Sequence, residues 1–180
     1  NLSPNAQESA IRFPQNFLKL KAENALDHLS KLSSDAQSSV IRYYSENFLK
    51  LKAENALDDL AKLSQDAQES AIRFPKTFLE FQEKNALDDL AKLSPEAQNS
   101  AIKYYPENFL KLKKGNALDD LVKLSPQVQN SVIRYYPETF LKLREENATD
   151  LISENLQDFE SISWHDREIE SSVSDLAPKI

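Results

Sequence analysis

Apolar residues recur with helical spacing along most of the chain, in a pattern that restarts about every 30 residues. Between Pro95 and Tyr105 they fall at Ala97, Ala101, Ile102 and Tyr105, which share one helix face. Ser94 stands where a side-chain oxygen can accept from the free N–H groups of a helix start, and Pro95 takes the first helical position. Pro106 disfavours helical backbone at Tyr105. The pattern predicts a first helix of about 11 residues.

A second segment runs from Pro106 to Leu124. It is rich in helix formers, with Glu107→Lys111 and Asp119→Lys123 at i, i+4 in the favourable order. On a helical wheel Phe109, Leu110 and Leu112 form one stripe, and Ala117, Leu118 and Leu121 form another turned by about 100°. Asn116 lies between them, with Asp119 three residues on, which resembles a capping box. Either one long helix changes neighbours halfway, or the segment breaks at the Asn. The expectation is two helices per repeat, with three as the alternative.

The same unit is written about five times, at 2–31, 32–62, 63–92, 93–123 and 124–153. Copies one and three are one residue shorter at a fixed place. They read Arg12-Phe13-Pro14 and Arg73-Phe74-Pro75, where the others read Arg42-Tyr43-Tyr44, Lys103-Tyr104-Tyr105 and Arg134-Tyr135-Tyr136. Asn16–Asp27 is identical to Asn47–Asp58, surface positions included, which points to recent duplication or design. An Asn recurs in all five copies (Asn24, Asn55, Asn85, Asn116, Asn147), followed by Asp27, Asp58, Asp88, Asp119 and Asp150. The chain starts at a repeat boundary without an initiator Met, so it reads as an excerpt of a longer array.

Such helices cannot bury their stripes alone, but neighbouring copies can cover them. The expected fold class is all-α, a helical-repeat solenoid over 1–153. An acidic cap or tail follows at 154–180, in which Leu156, Phe159 and Ile162 have helical spacing and Trp164 packs. Over about residues 1–150 the chain resembles helical-repeat proteins as a class. The Trp-x-x-Leu-Gly pattern of tetratricopeptide repeats and the Thr-Pro-Leu-His of ankyrin repeats are absent.

Composition removes most chemistry. One Gly cannot supply a phosphate-binding loop or a nucleophile elbow, and the absence of Cys excludes thiolate nucleophiles and zinc–thiolate sites. No run is long enough to span a membrane and no leader is visible, so localisation is left open. Adjacent acids (Asp58-Asp59, Asp88-Asp89, Asp119-Asp120) point about 100° apart on a helix and do not converge as a catalytic pair. In this reading the first acid caps or pairs with the Lys at i+4 and the second faces solvent. His28, which replaces the second acid in copy one, reads as a surface side chain. His165 has no nucleophile beside it, and the sequon Asn147-Ala148-Thr149 reads as a capping Asn. No enzyme, cofactor or metal is expected.

Gln7, Gln37, Gln68, Gln98 and Gln129, with Ser9, Ser39, Ser70, Ser100 and Ser131, recur in every copy. They either bond between copies, which is favoured, or line a groove. A cation closes each first helix (Arg12, Arg42, Arg73, Lys103, Arg134), beside the aromatics. Lys19, Lys50, Lys111 and Lys142 form a second ladder, broken by Glu80.

The favoured function is a non-enzymatic scaffold that binds another protein or peptide. Its candidate contacts are Arg12, Arg42, Tyr43, Arg73, Lys103, Tyr104, Arg134 and Tyr135. The variable positions Asn5, Asp35, Asp66, Glu96 and Gln127, and Ala22, Ala53, Glu83, Lys114 and Glu145, would set the partner. Nucleic-acid or phosphate binding through the ladder is one alternative. A self-assembling array, or a secreted effector or surface repeat protein, is another.

Charge refines this picture. The net charge of −7 is unevenly spread: residues 1–144 carry 20 basic against 19 acidic side chains, and residues 145–180 carry 2 against 10. The repeats are therefore nearly neutral, and the acidity belongs to the end, where it would aid solubility or meet a basic groove in a neighbour.

Overall fold

The computed structural model describes residues 1–146, of which 76% are helical, with no strand among them. The cap and tail, the sequon at Asn147, Trp164 and His165 lie outside the described residues. Copy one forms α1 (Pro4–Arg12), α2 (Pro14–Ala22) and α3 (Leu26–Leu29). Copy two forms α4 (Ser34–Ser39), a π-helical turn (Val40–Tyr44), α5 (Ser45–Ala53) and α6 (Leu57–Leu60). Copy three forms α7 (Gln65–Arg73), α8 (Pro75–Glu83) and α9 (Leu87–Lys92), and copy four α10 (Pro95–Lys103), α11 (Pro106–Lys114) and α12 (Leu118–Leu121). Copy five contributes α13 (Pro126–Tyr135) and α14 (Pro137–Glu145).

The first four copies thus carry three α-helices each, not the favoured two, because the second segment breaks at its Asn into two helices. The break differs from the expected capping box. Asn24, Asn55, Asn85 and Asn116 adopt left-handed backbone, with φ between 52° and 57°, and terminate the preceding helix. In copy one the Asn24 N–H donates to the Lys21 carbonyl (3.0 Å) and the Ala25 N–H to the Leu20 carbonyl (2.9 Å). Copies two to four repeat this pair, which is a Schellman closure. Asn tolerates left-handed backbone better than other residues with a β-carbon, so the same residue type suits a helix start and a helix stop. The buried contact between Leu20 and Ala25 fixes which one forms here. Gly115, just before Asn116, sits at φ −78°, an ordinary backbone conformation, although a side chain there would press on Leu141.

Serine caps open the first helices as expected: Ser3, Ser33, Ser94 and Ser125 each accept from the N–H three residues on. Between first and second helices the chain turns sharply. Phe13, Phe74, Tyr105 and Tyr136 precede a proline and leave the helical region, with φ from −117° to −134°. Copy two has Ser45 where the others have Pro. Tyr44 before it bends in the same way, with φ −127°, and the five residues that lead to Ser45 form a π-helical turn, a form that takes up an additional residue within a helix.

Corresponding helices of successive copies pack together: α1 on α4, α4 on α7, α7 on α10 and α10 on α13, and likewise α2 on α5, α5 on α8 and α11 on α14. The core lies between them. It holds Phe48, Phe78, Phe109 and Phe140, one per copy at the same position, with Ile41, Ile72, Ile102 and Ile133 and with Leu29, Leu60, Leu90 and Leu121. Phe81 meets Phe109 at 4.8 Å between ring centroids. Each such side chain contributes about 1.5–3 kcal/mol through burial.

Polar bonds fix the register between copies. Gln37, Gln68, Gln98 and Gln129 are buried, and each Oε1 accepts the N–H of the Ser that opens the first helix of the preceding copy at 2.7–2.9 Å. The same amide donates to the carbonyl of its own repeat's opening Leu at 2.8–3.0 Å. Asn16, Asn47 and Asn108 donate forward to the carbonyls of Ile41, Ile72 and Ile133.

Candidate functional site

The bend between first and second helices sets an aromatic corner in each copy. The residue next to the second helix (Phe13, Tyr44, Phe74, Tyr105, Tyr136) closes it, and all but Phe13 are half-buried. The additional residue of the 31-residue copies is the outer tyrosine. Tyr43, Tyr104 and Tyr135 are 68%, 57% and 56% exposed, which makes them the largest exposed rings among the described residues. The difference in repeat length is therefore the presence or absence of one solvent-facing tyrosine.

Because first helices pack side by side, these corners align. Phe13 contacts Tyr43 (6.5 Å) and Tyr43 contacts Tyr44 (6.0 Å). Further along, Tyr104, Tyr105, Tyr135 and Tyr136 form a run with centroids 5.9–6.4 Å apart. The cations expected as contacts lie among these rings. Lys103 sits over Tyr104, Arg73 over Phe74, and Arg134 between Tyr105 and Tyr135, at 4.7–6.0 Å from ring to charge. Arg42 Nε donates to Ser9 Oγ (3.0 Å), and Arg12 pairs with Glu8 four residues back. The Nε of Arg134 is buried and has no hydrogen-bond partner among the described residues. Arg42 meets a serine at the corresponding place, but Ser100 donates to Asn130 Oδ1.

A cleft of about 400 Å³ opens on this edge between copies two and four. Its walls include Tyr43, Tyr44, Glu69, Arg73, Asn99 and Lys103, with Asp66 at its margin. Glu69 is half-buried. Burial raises its carboxyl above the ordinary range, and Asp35 and Asp66 push the same way. The cleft thus presents rings, two cations and a reluctant carboxylate together.

The two sets of variable positions do not share this surface. Asp66 lines the cleft, whereas Glu83 lines another of about 520 Å³ with Lys50, Lys76 and Glu80 on the second helices. Of the second ladder, Lys19 and Lys111 are engaged between copies with Glu46 and Glu138.

The recurrent Gln bonds between copies, as favoured from sequence. Ser9 meets Ser38 at 2.8 Å, and Ser70 and Ser100 donate to Asn99 and Asn130 of the following copy. The paired acids divide their roles differently from the expectation. The first acid is well exposed and meets the last Lys of the preceding copy: Asp58 with Lys31, Asp88 with Lys62, Asp119 with Lys92. The second is the less exposed one. It pairs with the Lys three residues on and, in copies three and four, with the next copy's second helix: Asp89 with Lys113, Asp120 with Arg144. An i, i+4 rule within one helix could not foresee this, because the partners lie about 25 residues away in sequence.

Among the described residues no cluster of His, Cys, Asp or Glu could hold a metal ion, and no helix is long and apolar enough to cross a membrane. Compared with protein families, curated proteins and solved structures, the chain matches none of them.

Proposed function

We propose that the chain is a non-enzymatic helical-repeat scaffold of the solenoid type, which holds a protein or peptide segment along its aromatic edge. The observation that carries this reading is the line of exposed Tyr43, Tyr104 and Tyr135 with Arg73, Lys103 and Arg134 laid on neighbouring rings. Exposed tyrosine and prepositioned arginine supply large contact area at low ordering cost, which is the chemistry of interface anchors. Peptide is favoured over nucleic acid because Asp66 and Glu69 line the same cleft as Arg73 and Lys103, with Asp35 close enough to act on Glu69, and these acids repel a phosphate backbone.

The test is selection from a random peptide library against the full chain and against Y43S/Y104S/Y135S. These three side chains are exposed, so helix content by circular dichroism should be unchanged in the variant. Peptides that bind the parent and lose about tenfold or more on the variant support the reading. Peptides indifferent to the substitutions, or preferential enrichment of oligonucleotides with steep salt dependence, contradict it.

A further inference from the structure

The junctions between copies are not electrostatically equal. At the junction of copies three and four, Lys113 reaches Asp89, and Lys92 stands beside Asp89 and Asp119. Those four groups balance. At the junction of copies one and two, the equivalent positions hold Lys52, His28, Lys31 and Asp58. Imidazole has replaced the carboxylate, and Lys31 and Asp58 already pair at 2.9 Å. With neutral imidazole the group carries one positive charge in excess. Among the described residues no carboxylate lies within ion-pair distance of Lys52.

The space is present as well. His28, Lys52, Asn55, Leu57 and Asp58 line a cavity of about 180 Å³. The Nδ1 of His28 is shut off from solvent and has no hydrogen-bond partner among the described residues. A buried nitrogen without a partner is costly, and it marks a junction whose polar groups are not all met. Size, excess charge and an unmet polar atom coincide where later copies hold an aspartate.

We infer that the His28–Lys52 cavity binds a small oxyanion, a carboxylate or phosphate group, in the place that Asp89 and Asp120 fill for Lys113 and Arg144. This site lies apart from the aromatic edge and stands or falls independently of it. Lys52 supplies the charge and His28 a second polar contact. Asp58 opposes the anion, but Lys31 holds it: that hydrogen bond and charge keep its carboxyl below the ordinary range. The corresponding cavity one junction along, lined by Asp59, Gln82, Asn85, Leu87 and Asp88, has no spare cation, and Lys62 already serves both of its acids. It is an internal control that should not take an anion.

The full chain has two histidines, so imidazole resonances can be followed directly. Acetate and inorganic phosphate are titrated at pH 7 and constant ionic strength, followed by a capped aspartyl peptide. The site predicts a saturable movement of the His28 signals and of the Lys52 side-chain signals. In K52Q the His28 response disappears, and in H28D the Lys52 response weakens by about tenfold or more. Both variants install residues that other copies carry at those positions, so the fold is kept. Response to the free anions but not to the peptide assigns the site to a free ion, and response to the peptide as well extends it to an acidic side chain. No saturable response, or one that survives K52Q, overturns the proposal.

Discussion

Removing one buried amide at a junction tests how the copies are joined. Gln98 is 4% exposed; its Oε1 accepts the Ser64 N–H at 2.9 Å, and its Nε2 donates to the Leu93 carbonyl at 2.9 Å and to the Ala91 carbonyl at 3.3 Å. Methionine has similar length and packs in the same space, so Q98M removes these three bonds with little change of volume. Each bond contributes about 1 kcal/mol net, and leaving a main-chain N–H and carbonyl without partners at a partly buried site adds to that. The expected loss is about 2–4 kcal/mol. Gln7 is the matched reference. It is exposed and, among the described residues, bonds only to the Leu2 carbonyl. Q7M should therefore cost less than about 1 kcal/mol. Urea unfolding followed at 222 nm, with equal slopes required for the comparison, gives both values. If Q98M costs no more than Q7M, the glutamines are not what fixes the register.

Other outcomes follow from single contacts. N85G should leave stability nearly unchanged, while N85V should lower it by about 1–2 kcal/mol, because valine at φ 52° is strained; thermal unfolding separates the two. E69N should raise stability at pH 7 by about 1 kcal/mol, since Asn99 and Asn130 at the equivalent place accept from Ser70 and Ser100. The raised pKa of Glu69 means that its charged form opposes folding, and that this penalty fades as pH falls through its folded value. The gain from E69N should therefore shrink on acidification in urea titrations at several pH values.

The ladder acids have the opposite sign. Asp120 and Glu138 are lowered by hydrogen bonds from Lys123 and Arg144 and from Lys111. At Asp89 burial pulls upward, but Lys113 and Lys92 outweigh it. Their stabilisation is complete above the ordinary carboxylate range and is lost as pH falls from about 4 through their folded values. A D120N variant should flatten that part of the stability profile.

Much of the fold is legible because local rules and packing agree. Ser-Pro at 94–95 and 125–126 starts helices in sequence and structure alike. The spacing of Phe109, Leu112 and Leu121 places them in the core. What could not be read has physical causes. Asn at 24, 55, 85 and 116 satisfies the rules for a helix start and for a left-handed stop, and only the contact of the flanking Ala with the previous helix separates them. The partners of Asp89 and Asp120 depend on how copies align, which no local spacing reveals. At the candidate edge, the basic and aromatic residues were visible as a recurring pattern, but Glu69 was not. Its place in the cleft follows from the neighbouring copy's helix rather than from any motif.

The central claim is that the aromatic edge holds a peptide, and backbone amide shift mapping of the full chain with a library-selected peptide tests it most directly. The account predicts shifts concentrated at Tyr43, Glu69, Arg73, Asn99, Lys103, Tyr104 and Tyr135, and their loss in Y43S/Y104S/Y135S. Shifts confined to another face, or unchanged in the variant, would contradict it.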